Sequence, residues 1–149
     1  AREVRAQIDE ALAAGATAHI ARKAEDDGGA YLTPQILTRV THEMRVMRDE
    51  RSGPAVGIMP VADDEEAIRL MNDSRFGLTA SLWTADIERA QRVGDRVETG
   101  TVFMNRADYL DPGLCWTGCK DTGRGGGLSV IGYHNLTRPK SYYLKKTKT

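Results

Sequence analysis

The sequence predicts an α/β fold: a parallel βαβ layer followed by an extended C-terminal strand. Three observations carry that prediction. Strand-like and helix-like segments alternate from residue 54 to residue 104, the signature of parallel βαβ units with right-handed crossovers. Residues 108–132 then lose any period and fill with glycine. Residues 141–146 regain strand character at Tyr142, Tyr143 and Leu144, and the chain closes on Lys145, Lys146 and Lys148, which suits an exposed edge.

The 149 residues suffice for one ordinary domain with a real core. Basic and acidic residues balance at 21 each, so no net field draws the chain to nucleic acid or an anionic membrane. Hydrophobic residues make up 40% and charged residues 28%, which favours a folded chain over a disordered one. No apolar run reaches the roughly 18 residues of a membrane span, and no secretory segment opens the chain. Two cysteines are too few for a disulfide framework, so a cytoplasmic setting is expected. The opening Ala1-Arg2 is compatible with a processed or excised piece.

Element by element, Val4, Ile8, Ala11 and Leu12 recur at helical spacing, and Gly15 stops that helix. Residues 16–20 read as a short buried strand, Asp26 to Gly29 as a turn, and residues 36–40 as a strand. Val56, Ile58 and Val61 mark a buried strand over 54–61. Asp63 starts the next helix with Glu66 as its capping-box partner, and Ala67, Ile68 and Met71 form its inner face. A strand over 78–83 follows. Asp86 caps a helix carrying Ile87, Ala90, Val93 and Val97, Gly100 ends it, and residues 101–104 form the last strand of the layer.

Motifs for chemistry are sparse. The run from Gly118 to Gly125 has Arg124 and Gly125 where a phosphate loop needs Lys and Ser or Thr. As a dinucleotide fingerprint it fails at Leu128 or Val130 and lacks the preceding strand. It reads as a loop needing unusual backbone angles. Cys115 and Cys119 with His42 and His134 do not make a zinc set, so no metal is expected. Neither cysteine has a base beside it in sequence, and Lys120 and Arg124 are weak support for a thiolate. Glu50 reads as a solvated carboxylate in a charged turn, or as an acceptor for the two hydroxyls of a ribose. Trp116 by itself is a packing residue.

Five blocks in order resemble the C-terminal part of the NAD(P)-dependent aldehyde dehydrogenases. They are Glu50-Arg51-Ser52-Gly53-Pro54, the run Asp64 to Asp73, the run Phe76 to Thr84, Gly100-Thr101-Val102-Phe103-Met104-Asn105, and Trp116 to Gly123. The resemblance implies that Glu50 holds the nicotinamide ribose hydroxyls of NAD or NADP and that Trp116 lines the pocket for a small aldehyde. It also implies a catalytic-domain portion over 1–136 and an oligomerisation strand over 137–149 that makes the enzyme a homo-oligomer. Ser52 stands where the family carries Phe, Thr117 where it carries Gly, and Gly126-Gly127 where it carries Arg-Glu.

The family's Gly-Gln-x-Cys nucleophile run and Glu-Leu-Gly-Gly base run do not occur here. Oxidation needs a thiolate, a hydride acceptor and a water-activating base. No catalytic residue is therefore assigned, and the chain alone is expected to be inactive. The competing expectation is a non-catalytic oligomerising module derived from the same family; a phosphate-binding module comes a distant last.

Overall fold

The computed structural model describes residues 1–20, 29–50 and 52–146. The turn expected at Asp26 to Gly29 lies outside them, apart from Gly29. Two compact units divide the chain, Ala1–Leu70 and Met71–Thr149.

In the first unit, α1 (Arg2–Ala13) buries Val4, Gln7 and Ala11 on one face. Gly15 adopts φ +102°, the left-handed conformation that lets the chain turn out of the helix. Strand β1 (Thr17–Ala18) pairs antiparallel with β2 (Gln35–Thr38), and β2 pairs parallel with β3 (Ala55–Ile58). The short helix α2 (Arg45–Arg48) lies between β2 and β3 in the chain. Leu37 is fully buried at the centre of a core built from Ala11, Ala16, Val40 and Val46, with Ile8, Leu12, Met44 and Met47 packed against it. Gly57 is small because α2 approaches closely: a Cβ there would strike Met47 Sδ and lie 3.2 Å from Val40 Cγ2.

Two expectations need correction here. The strand at 16–20 is two residues long, and its Thr17 is exposed because β1 is a sheet edge. The strand expected as buried over 54–61 spans Ala55–Ile58 and alternates half-buried with exposed residues. Val56 is 49% exposed and Ile58 52%, although parallel strands normally have both faces covered.

Helix α3 (Asp64–Asn72) begins as predicted. The Asp63 carboxylate accepts the Glu66 amide at 2.9 Å, and the Glu66 carboxylate reaches back to the Ala62 amide at 2.8 Å. Ile68 is buried on its inner face, whereas Met71 is exposed.

The second unit is built on a βαβ element. Parallel strands β5 (Thr79–Leu82) and β6 (Thr101–Met104) pair in register, Thr79 opposite Thr101, joined through α4 (Ile87–Gly94). Ala80, Ala90, Val93, Val97 and Phe103 are its buried apolar residues. Asp86 caps α4 by accepting the Arg89 amide at 2.9 Å. The helix ends at Gly94, earlier than Gly100, because the next turn finds other partners. Asn72 accepts the Glu98 amide and donates to the Arg96 carbonyl, both at 2.8 Å. Ile87, expected on the buried face, is exposed in the first turn of α4.

The region 108–132, expected as loop, contains structure. Strand β4 (Phe76–Gly77) pairs antiparallel with β8 (Cys119–Lys120), and β7 (Trp116–Thr117) pairs with β9 (Gly126–Gly127). Helix α5 (Ser129–Leu136) follows, with Gly132 packed onto Gly127. Two-residue glycine-bearing strands have no readable period, and α5 is apolar around most of its circumference, so neither leaves a pattern. Residues 141–146, expected as a strand on an exposed edge or offered to a partner, form no ladder among the described residues, and Tyr142, Tyr143 and Leu144 are exposed. A strand exists only by pairing, and this stretch has no partner within the described chain.

Candidate cofactor and substrate site

Glu50 lies in the first unit, at the exit of α2. Its side chain is exposed and takes no partner among the described residues. The residues around it are anchored. Arg45 Nε donates to Asp49 Oδ2 at 2.7 Å, and its Nη1 pairs with Glu10 at 3.1 Å. Its Nη2 reaches Glu3 at 3.4 Å. The hydrogen bond to Asp49, and then the charge of Glu10, hold the Arg45 pKa above its ordinary value. On the other side of Glu50, the Gln35 amide donates to the Pro54 carbonyl at 2.8 Å. Gly53 presses on α1, where a Cβ would come within 2.8 Å of Val4 Cγ2. Ser52, at the family's Phe position, is exposed, and Arg51 lies outside the described residues.

Trp116 lies in the second unit, half-buried in β7 opposite Gly127. Thr117 is accommodated in place of Gly because its hydroxyl donates to the Gly125 carbonyl at 2.6 Å. Gly126 is tightly placed: a Cβ there would lie 2.8 Å from Cys115 Sγ, and its carbonyl accepts from Asn135 Nδ2 at 2.5 Å. A cleft of about 830 Å³ opens nearby between Pro112, Gly127, Leu128, Val130, Tyr133 and Leu136, and Trp116 does not line it.

The glycine loop is a backbone device, as its sequence implies. Gly123 and Gly125 take φ +105° and +122°. Lys120 has no freedom to bind phosphate, since its Nζ pairs with Glu98 at 2.8 Å and donates to the Asn72 carbonyl at 2.6 Å. That pairing also removes it as a support for a thiolate at its neighbour. Cys119 itself donates to the Glu98 carbonyl at 2.9 Å, and both cysteines are free thiols. No cluster of three or more metal-ligating side chains occurs among the described residues.

Sequence reasoning missed the polar bracket at the carboxyl ends of β5 and β6. Asn105, at φ +55°, accepts the Thr84 amide at 2.9 Å and donates to the Thr84 carbonyl at 2.8 Å. The Ser81 hydroxyl donates to the Arg106 carbonyl, and the Arg106 guanidinium stacks 4.1 Å over the Tyr109 ring. The only sequence signal was Asn105 closing its block, since the hydrogen-bond partners of Asn105 and Ser81 lie 21 and 25 residues away in the chain.

Comparison with known proteins places this geometry. The pattern of the Aldehyde dehydrogenase family matches residues 1–142. The succinate-semialdehyde dehydrogenase [NADP(+)] of Deinococcus radiodurans is 36% identical over 140 residues, covering 94% of this chain and 29% of that protein. The succinate semialdehyde dehydrogenase [NAD(P)+] Sad of Escherichia coli is 36% identical over 134 residues, 90% of this chain and 29% of that protein. Among solved structures, lactaldehyde dehydrogenase from Escherichia coli superposes with a TM-score of 0.88 at 28% identity, over 97% of this chain and 30% of that one. An NAD+ complex of an aldehyde dehydrogenase from Bacillus cereus gives 0.83 at 28% identity, over 92% and 28%. The chain thus spans about three tenths of the length of the curated relatives it matches. With its parallel βαβ layer and its match over residues 1–142, the chain belongs to the aldehyde dehydrogenase family.

Proposed function

We propose that this chain is the C-terminal segment of an oxidoreductase that oxidises a small aldehyde to its carboxylic acid with NAD or NADP. The observation that carries this reading is the family match over residues 1–142. The nucleotide-dependent names of the relatives support the cofactor. Glu50 fits it chemically. A ribose diol donates two hydrogen bonds, and this carboxylate is a charged acceptor that no described residue occupies.

The dinucleotide, when bound, supplies the hydride acceptor. Glu50 accepts the nicotinamide ribose hydroxyls and holds that end of the cofactor in register. Trp116 contributes apolar wall to the aldehyde pocket and excludes water beside the substrate. The cysteine that forms the thiohemiacetal and the base that activates water are assigned outside this chain, which matches the structural tethering of Cys119. The catalytic portion runs over 1–136, and residues 137–149 pair with another subunit to build a homo-oligomer. The exposed Tyr142, Tyr143 and Leu144 support that pairing. The two free thiols support a reducing, cytoplasmic compartment.

The test is turnover at the reduced-nicotinamide absorbance band, with NAD or NADP and a panel of aldehydes that includes succinate semialdehyde. The 149-residue chain is expected to show no rate. The protein expressed from its complete reading frame is expected to turn over, and an inactive complete protein overturns the reading. A rate from the chain alone that disappears on Cys115→Ser or Cys119→Ser overturns the placement of the nucleophile.

A second reading, a non-catalytic module that self-associates, is favoured by the open apolar surface at Val56, Ile58, Trp83 and Tyr143. A reading frame bounded by these 149 residues alone selects it.

A further inference from the structure

We propose that the Arg45–Asp49 pair, closed from α1 by Gln7, is a clasp that positions Glu50 toward the nicotinamide ribose. The proposal rests on the reading of Glu50 given under Proposed function and adds three positioning residues to it.

Asp49 is the C-cap of α2, with extended backbone angles of −83° and 144°, so the chain leaves the helix at this residue and Glu50 is the next one. One carboxylate oxygen of Asp49 receives two donors from two different helices. Arg45 Nε approaches at 2.7 Å from α2, and Gln7 Nε2 at 3.4 Å from α1. Arg45 is in turn tied to α1 through Glu10 and Glu3. The residue before Glu50 is therefore locked to the first helix, and the residues after it are locked by Gly53 on Val4 and by the Pro54 carbonyl on β2. Glu50 itself takes no partner among the described residues, which is what a ligand acceptor requires.

Two observations argue that the clasp serves geometry. Gln7 is a polar side chain at 1% exposure on the buried stripe of α1, and its Oε1 has no partner among the described residues. A buried amide that leaves one end unsatisfied carries a desolvation cost. The end it does use points to Asp49. The second observation concerns exposure. Arg45 and Asp49 side chains are 45% and 39% exposed, and ion pairs so open to water contribute little to stability. What remains is the fixing of the turn that carries Glu50.

The test is a double-mutant cycle in the enzyme expressed from its complete reading frame, with KM for the dinucleotide and kcat measured separately. Glu50→Gln is expected to raise the cofactor KM about tenfold or more, the scale of hydrogen bonds to a charged acceptor. Asp49→Asn is expected to raise it in the same direction, by about three- to tenfold, with kcat changed less than about twofold. Arg45→Gln follows Asp49→Asn. In the Glu50→Gln background, Asp49→Asn is expected to add less than about twofold, because its effect passes through a carboxylate that is no longer there. Additive effects overturn the clasp and leave the role of Glu50 intact. An unchanged cofactor KM in Glu50→Gln overturns the ribose reading itself. An Asp49→Asn enzyme that fails to fold, or that melts lower with an unchanged KM, assigns the pair to stability and overturns the proposal.

Discussion

Gly100 offers the sharpest test of the packing in the second unit. A Cβ built on Gly100 would sit on the Thr117 carbonyl oxygen and 3.0 Å from the Gly118 amide. Its own amide is shared between the carbonyls of Gly77 at 3.2 Å and Leu78 at 3.1 Å, so neither side can retreat without losing strand-end hydrogen bonds. Gly100→Ala is therefore an overpacking substitution against backbone, with an expected cost of about 3 kcal/mol. For a unit of this size that lowers Tm by about 12–24 °C. Two glycines serve as internal standards. Gly123, at φ +105° in open space, is expected to cost about 1 kcal/mol as Ala through left-handed strain alone. Gly127, with nothing within 4 Å and no positive φ, is expected to be close to neutral. Urea unfolding of the chain followed by tryptophan fluorescence reads this unit selectively, because both tryptophans, Trp83 and Trp116, lie in it. A Gly100→Ala transition within about 0.5 kcal/mol of the parent would refute the close approach of residue 100 to β7.

Three further outcomes are expected. Leu37→Ala removes the fully buried centre of the first core and should cost about 2–5 kcal/mol, read by far-UV circular dichroism during urea unfolding. Asp86→Ala removes the cap of α4 and should cost about 1 kcal/mol in the same assay, while Asp86→Asn should be nearly silent. Deleting residues 137–149 should lower the mass seen by light scattering, and an unchanged mass refutes the interface role of the tail.

Much of the fold was legible because local chemistry and tertiary outcome agree. Asp63 with Glu66, and Asp86 alone, mark helix starts by hydrogen bonds that span three or four residues, and both are made where the sequence places them. The strands β2, β5 and β6 fall within or overlap the windows 36–40, 78–83 and 101–104 that read as strand in the sequence. Glu50 and Trp116 were nameable only because their blocks resemble a family; neither residue type announces a cofactor or a substrate by itself.

Other features depended on partners distant in the chain. The end of α4 is set by Asn72, more than twenty residues upstream, so Gly100 as a helix stop was the wrong local inference. The strands at Trp116 and Gly126 exist because they meet each other, and the strand at Cys119 because Phe76 and Gly77 come to meet it. A two-residue ladder has no period of its own. Lys120 and Cys119 looked available in sequence and are tethered through Glu98 in space.

By itself, then, the sequence determined the βαβ order, the helix caps and the family, all encoded within short windows or in the order of blocks. Only the tertiary structure decided which polar side chains are already committed and which remain open, because a hydrogen bond is satisfied by whatever folding brings within about 3 Å, whatever its distance along the chain. It tethered Cys119 and Lys120, and it left Glu50 open.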